Sequence, residues 1–308
     1  MDKPLYSHTP LFESLPLGRQ VKGRVWLKMD ACQPTGSFKA RGMSVAAQHY
    51  AAQGATSLLA SSGGNAGLAV AYAGRQLGLP TTIVVPQSTG ERAKELMRQE
   101  GAEVIVHGET WVEAHGLALE IQAKTGAAYL HPFDDPIIWA GHATMIAEVV
   151  ASGIRPDALV VSVGGGGLLI GMIQGLRAAG WDDVTVVAVE TAGASSLAQS
   201  IQAGELVTLP SIDTIATTLG AKQVAAQALK DSLDYGVIPH VVSDKEAVDA
   251  CARFLHDHRV LVEPACGASL AAVYDPIPAL KDKENILVIV CGGAGITPEQ
   301  LAAYQQQL

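Results

Sequence analysis

Thr35-Gly36-Ser37-Phe38-Lys39-Ala40-Arg41-Gly42 sets one lysine beside an aromatic ring and among small residues, which is not how a solvated surface lysine is usually placed. Ser37 can cap a helix that starts there, which puts Lys39 in the first turn. The amino end of a helix carries partial positive charge, and that field favours a neutral amine. A neutral lysine amine condenses with an aldehyde or takes a proton from carbon. The plain alternative is an exposed helix lysine, and the octapeptide alone leaves both readings open.

Gly164-Gly165-Gly166-Gly167 lies between an apolar run and a helical pattern. Bare backbone amides at a helix start can wrap an anion, and a phosphate is the natural guest. A tight turn alone would need only one or two glycines. The spacing fits neither G-x-G-x-x-G nor the nucleotide P-loop. Ser61-Ser62-Gly63-Gly64-Asn65-Ala66-Gly67 offers two hydroxyls, an amide and free N–H groups, a cradle for a carboxylate. The plainer alternative is a turn capped by Asn65, which the two hydroxyls and free N–H groups make the lesser reading. Cys291 closes the last apolar strand, where a neutral thiol could hydrogen-bond a heterocyclic nitrogen. Taken alone it reads better as a small buried hydrophobe. Glu190 ends another apolar strand; it wants either a hard cation, with carbonyl oxygens completing the site, or a buried ion pair.

Other chemistry finds no pattern. The nine histidines show no metal-ligand spacing, and His256 and His258 read as solvated near a helix end. There is no G-x-S-x-G elbow. Trp26, Trp139 and Trp181 read as core or interface aromatics.

Alternating elements must position these residues. Strands are expected at 25–29, 57–60, 81–85, 103–106, 158–163, 184–190 and 286–290. Between them helices are expected from Ser37 to about Ala52, at about 66–77, 91–100 and 110–124, from the glycine run to about Ala179, at 247–258, and from Val262 onward. Strands alternating with helices mean parallel sheets covered on both faces, an α/β architecture. The candidate loops then follow strand carboxyl ends, where such sheets bind ligands. The irregular stretch from Tyr129 to Pro136 reads as a crossing between two domains.

Composition narrows the function. The 308 residues are 48% apolar and 17% charged, enough for a large core. A net charge of −9 argues against a nucleic-acid partner. The four cysteines show no disulfide framework and read as reduced thiols of a cytoplasmic protein. No signal segment and no membrane-length apolar run is seen.

Together these motifs resemble the fold-type II pyridoxal-phosphate enzymes (tryptophan synthase β-like), and within them the serine/threonine dehydratase family. The resemblance runs from Lys28-Met29-Asp30 to Cys291 and includes Pro132-Phe133-Asp134-Asp135-Pro136, Val262-Glu263-Pro264-Ala265-Cys266-Gly267 and Val290-Cys291-Gly292-Gly293. It implies two open, twisted, mostly parallel sheets flanked by helices. The small domain would be 38–135 and the large domain 1–37 with 136–308, with the active site in the cleft between them. Lys39 would form the Schiff base with pyridoxal phosphate and act as the base. Phe38 would flank the ring, and Asn65 would reach its phenolic oxygen. Gly164, Gly165, Gly166, Gly167 and Leu168 would bind the phosphate, and Cys291 would face the pyridine nitrogen. Ser62, Gly63, Gly64, Asn65 and Ala66 would hold the substrate carboxylate. A monovalent cation, potassium, is implied at Glu190 with the carbonyls of Gly164, Ala194, Leu219 and Ala221.

The implied reaction is β-elimination of L-serine to pyruvate and ammonia, with L-threonine giving 2-oxobutanoate. The implied rivals are a threonine dehydratase, a serine racemase with side elimination, and a non-catalytic binding protein on the same fold. Racemases of the group place a serine at the position of Gly63, so glycine there favours elimination. Thr218 stands where a smaller residue is expected. The resemblance also implies a homodimer, with no membrane association, serving amino-acid catabolism and gluconeogenesis. The chain stops at Leu308, soon after the last motif, so no regulatory domain is expected.

Overall fold

The computed structural model describes residues 3–308. The chain opens with β1 (Leu11–Glu13), α1 (Leu15–Val21) and β2 (Arg24–Lys28). Next come α2 (Lys39–Ala52), β3 (Leu58–Ala60), α3 (Asn65–Leu77), β4 (Thr81–Val85), α4 (Glu91–Gln99), β5 (Glu103–Val106), α5 (Trp111–Thr125) and β6 (Ala128–Tyr129). Then follow α6 (Pro136–Ala151), β7 (Ala158–Ser162), α7 (Gly167–Ala178), β8 (Thr185–Thr191), α8 (Ser196–Ala203), α9 (Ala226–Tyr235) and β9 (Ile238–Val242). The chain ends with α10 (Asp244–His258), α11 (Pro264–Tyr274), β10 (Asn285–Ile289) and α12 (Pro298–Gln307). It forms two compact units that divide inside α6, between His142 and Ala143.

The first unit contains Gln33–His142 and the described residues before His8. Its sheet runs β5-β4-β3-β6, all parallel. Leu59 and Val84 on the sheet pack against Ala114 and Ala118 of α5, with Ile105, Leu117, Ile121 and Tyr129 at the rim. Helix α2 meets α6 at two glycines. A Cβ on Gly141 would lie 2.7 Å from the Gly42 Cα, so only glycine permits this crossing.

The second unit contains His8–Cys32 and Ala143–Leu308. Its sheet runs β1-β2-β10-β7-β8-β9, parallel except for β1 against β2. Every residue of β7 is buried, as is every residue of α11. Burying each large aliphatic side chain there contributes roughly 1.5–3 kcal/mol. Edge strand β9 carries Pro239 and His240, which break the alternation by which a strand is read; proline is tolerated at an edge because its missing N–H costs no ladder bond.

Candidate active site

Lys39 is the first residue of α2. Ser37 does not cap the helix as the sequence suggests. Phe38 takes the cap position with helical dihedrals and no side-chain cap bond, while the Ser37 hydroxyl is buried without a partner. The Lys39 Nζ donates to the Pro132 carbonyl at 2.5 Å and lies 5.0 Å from the centroid of the Phe38 ring. Phe38 packs on His142 with centroids 4.9 Å apart. His142 is fully buried and neither ring nitrogen has a hydrogen-bond partner. Burial, then the charges of Lys39 and Arg41, holds its pKa well below the usual histidine range.

The turn after β3 carries Ser61, Ser62, Gly63 and Gly64, with Asn65 and Ala66 opening α3. Gly64, not Asn65, is the cap residue, and its conformation is extended. The Ser62 Oγ accepts from the Gly64 N–H at 3.4 Å. Glycine is required at two places. A Cβ on Gly67 would lie 2.1 Å from the Ser62 carbonyl oxygen, and one on Gly63 would lie 2.2 Å from the Thr89 hydroxyl. The Ser61 hydroxyl is buried without a partner, as is that of Thr35.

The second unit holds the other predicted residues. After β7 two of the four glycines have a steric reason. Gly164 abuts Leu219, where a Cβ would come within 3.1 Å of the Leu219 Cα. The Gly165 carbonyl accepts from Ala225 N–H at 3.0 Å. Gly166 has φ of +90°, and a Cβ there would strike Ala228 at 2.4 Å. Gly167 and Leu168 begin α7, whose first-turn N–H groups have no partner within the helix.

Cys291 follows β10 and is buried. A hydrogen bond with Cys266, then burial, pushes its thiol pKa well above the ordinary range, so it stays neutral. Glu263 was quoted in a motif but given no role by the sequence. Its buried carboxylate accepts from Gly295 N–H at 3.0 Å and from the Thr218 hydroxyl at 2.8 Å. The Thr218 hydroxyl thus holds the Glu263 carboxylate. A Cβ on Gly293 would lie 2.0 Å from the Glu263 Cδ, which explains that glycine.

Glu190 is buried, and its two oxygens accept from Leu197 and Ala198 N–H at 2.8 and 2.7 Å. Burial pushes its pKa up to about 7. Among the described residues no basic side chain pairs with it. Ala194 closes a short helical turn just before α8, the Ser196 hydroxyl there is buried without a partner, and the Leu219 carbonyl accepts from Ala221 N–H at 2.7 Å.

Some predicted surroundings change. His258 is half-buried, with Nε2 3.0 Å from the Ser14 hydroxyl, rather than solvated. Sequence reasoning also missed an aromatic group around His131. Trp111 stacks on His115 at 4.7 Å and donates its Nε1–H to the Ser61 carbonyl at 2.8 Å. His131 meets Phe133, His115 and Trp111 edge to face. Burial, then His115 and Lys39, lowers its pKa to about 4. The group joins Trp111 and His115 of α5 to His131 and Phe133 of the turn after β6, a meeting that only the fold brings about.

A lysine at a helix start and a polar turn after one parallel strand lie in the first unit, and a four-glycine turn and a neutral thiol that each follow a strand lie in the second. The chain belongs to the pyridoxal-phosphate dependent enzyme family, whose model matches residues 3–292. It is 46% identical to the human protein "L-serine dehydratase/L-threonine deaminase", covering 99% of this chain and 96% of that one. The solved fungal L-serine ammonia-lyase from Rhizomucor miehei superposes with a TM-score of 0.91 at 37% identity, covering 99% of each chain. Maize serine racemase superposes with a TM-score of 0.91 at 28% identity, covering 99% of this chain and 93% of that one. The fold is that of the fold-type II enzymes, two mostly parallel sheets flanked by helices.

The residues present fit pyridoxal phosphate. A four-glycine helix start suits its phosphate, a neutral buried thiol suits its ring nitrogen, and Lys39 suits its aldehyde. The unpartnered hydroxyls of Thr35, Ser37 and Ser61 suit a polar ligand. Glu190, which has no basic partner among the described residues, is the one predicted cation ligand whose side chain could serve.

Proposed function

We propose that this chain catalyses the pyridoxal-phosphate-dependent β-elimination of L-serine to pyruvate and ammonia, and of L-threonine to 2-oxobutanoate and ammonia. What carries the reading is Lys39, seated at the start of α2 in a chain alike over its full length to proteins named for these activities. Bound pyridoxal phosphate supplies the electron sink that acidifies the α-carbon. Backbone amides and hydroxyls of residues 62–66 bind and orient the substrate carboxylate. The Lys39 amine removes the α-proton, a positioned-base step worth roughly 10²–10⁴ in rate. The β-hydroxyl leaves as water, and the released enamine hydrolyses to keto acid and ammonia. Residues 164–168 hold the cofactor phosphate. Cys291 offers its ring a neutral hydrogen bond rather than a charge, which limits carbanion stabilisation and favours elimination over slower side reactions.

A potassium ion at Glu190, with carbonyls of Gly164, Ala194, Leu219 and Ala221, belongs to the same reading, as do a homodimer, a cytoplasmic location and a catabolic role. The uncompensated Glu190 carboxylate supports the cation, and the four free thiols support the location.

The test is pyruvate formation from L-serine by purified protein with added cofactor, in potassium and in tetramethylammonium. Pyruvate from the wild type, none from Lys39→Ala, and potassium dependence lost in Glu190→Gln is the expected pattern. A yellow protein that makes no keto acid from either amino acid would sink the reaction. Equal rates in both salts would remove the cation.

A further inference from the structure

We propose that His131 is a positioning residue for the catalytic lysine, acting through the Pro132 carbonyl; this rests on the reading of Lys39 above. The chain leaves β6 at Tyr129 and turns sharply before α6. One atom closes that turn. The Nδ1 of His131 accepts from Asp134 N–H at 2.8 Å and from Phe133 N–H at 3.3 Å. Between donor and acceptor lies Pro132, which has no N–H, and whose carbonyl receives the Lys39 Nζ at 2.5 Å. The imidazole does here what an asparagine or aspartate oxygen does when it bonds the backbone two and three residues on.

Accepting at Nδ1 fixes the tautomer, with the proton on Nε2. The ring is then held by its neighbours. Phe133 meets it at 4.8 Å and 79°, and His115 at 6.2 Å and 88°. Trp111, at 6.4 Å and 86°, donates to the Ser61 carbonyl, so one aromatic group steadies both this turn and the head of the substrate loop. The turn is further tied by the Trp139 Nε1–H on the Phe133 carbonyl at 2.7 Å.

The reaction needs this. In the reading above, Lys39 must hold its amine at a fixed point from which it takes one proton. A carbonyl at hydrogen-bond distance is such a point for an amine, and a shift of about 1 Å in a reacting group can cost roughly a hundredfold in rate. His131 contacts neither substrate nor cofactor in this account; it fixes the oxygen that fixes the amine.

The test compares His131→Asn, whose Oδ1 can replace Nδ1 in the turn, with His131→Gln, whose amide reaches the Nε2 position instead, and with His131→Leu. Three quantities are read: the rate at which apoprotein captures added pyridoxal phosphate, amide hydrogen exchange over residues 131–135, and kcat against KM for L-serine. Expected for Asn are wild-type exchange, and capture and kcat within about threefold. Expected for Gln and Leu are faster exchange and a roughly tenfold to hundredfold loss in capture rate and kcat, with KM nearly unchanged. Should Leu not fold, the Asn–Gln pair decides alone. Asn and Gln behaving alike would overturn the inference, as would a loss spread equally over kcat and KM. Wild-type protein that captures no cofactor would instead overturn the underlying reading of Lys39, and this inference with it.

Discussion

At the scale of single residues, Gly63 shows how a position acquires its identity from space as well as chemistry. A Cβ there would stand 2.2 Å from the Thr89 Oγ1 and 2.8 Å from its Cγ2. Gly63→Ser is therefore expected to push the substrate turn out of place and to lower kcat/KM for L-serine at least tenfold, a modest misplacement by the usual scale. Adding Thr89→Ala clears the obstructing atoms and should restore most of that loss. Steady-state kinetics on the two single variants and the double variant check this. A Gly63→Ser enzyme as active as the wild type, or a double variant no better than Gly63→Ser, would refute it. In the sequence Gly63 is legible as part of a carboxylate turn and, by the resemblance, as a position where racemases of the group would carry a hydroxyl. The partner that occupies the space, Thr89, sits 26 positions away in the loop after β4, and no local pattern connects the two.

At the scale of elements, the placement of Lys39 depends on a crossing that tolerates no side chain. Helices α2 and α6 meet where a Cβ on Gly141 would lie 2.7 Å from the Gly42 Cα and 3.0 Å from the Arg41 carbonyl oxygen. Both obstacles are backbone, so neither can rotate away. Gly141→Ala should destabilise the protein by about 1–3 kcal/mol through overpacking. Gly116 in α5 has open space at its Cβ, and Gly116→Ala should instead raise stability by roughly 0.5–1 kcal/mol. Denaturant midpoints for the pair measure this, and equal midpoints would contradict it. Much of the alternation was legible: β4 and β7 are apolar runs bounded by proline or glycine, and predicted site residues lie at or just after the carboxyl ends of β3, β7, β8 and β10. Less was legible where a tertiary contact replaces a local signal. Helix α2 starts without the Ser37 side-chain cap, β9 is broken by Pro239 and His240, and α6 goes unread because its apolar residues are not confined to one face. The turn closed by His131 was equally hidden, because histidine is not among the residues by which turns are read.

At the scale of the whole molecule, the buried histidines set an acid limit on stability. His142 is fully buried and its pKa lies well below that of an exposed histidine, chiefly through burial and then through Lys39 and Arg41. His131 titrates at about 4, again chiefly through burial, with His115 and Lys39 lowering it further and Asp135 opposing. In the unfolded chain both would titrate near 6.5. Between pH 6.5 and about 4 the unfolded chain therefore binds protons that the folded chain refuses. Folding stability from these two groups is intact above pH 6.5 and is lost as the pH falls. Other groups titrate in the same window, so the useful quantity is a difference between variants. A His131→Asn/His142→Gln double variant keeps hydrogen-bonding side chains but cannot take up these protons. The slope of unfolding free energy against pH, measured near pH 5.5, should be smaller in the double variant by about two protons, each worth roughly 1.4 kcal/mol per pH unit. Equal slopes would mean that these rings are already protonated, or reachable by solvent, in the folded protein. A neutral His131 is also what the turn around Pro132 requires, since a proton on Nδ1 would displace the Phe133 and Asp134 amides. The acid limit of the fold and the acid limit of lysine placement then share one ring, and wherever the protein is still folded the turn should hold Lys39 down to about pH 4.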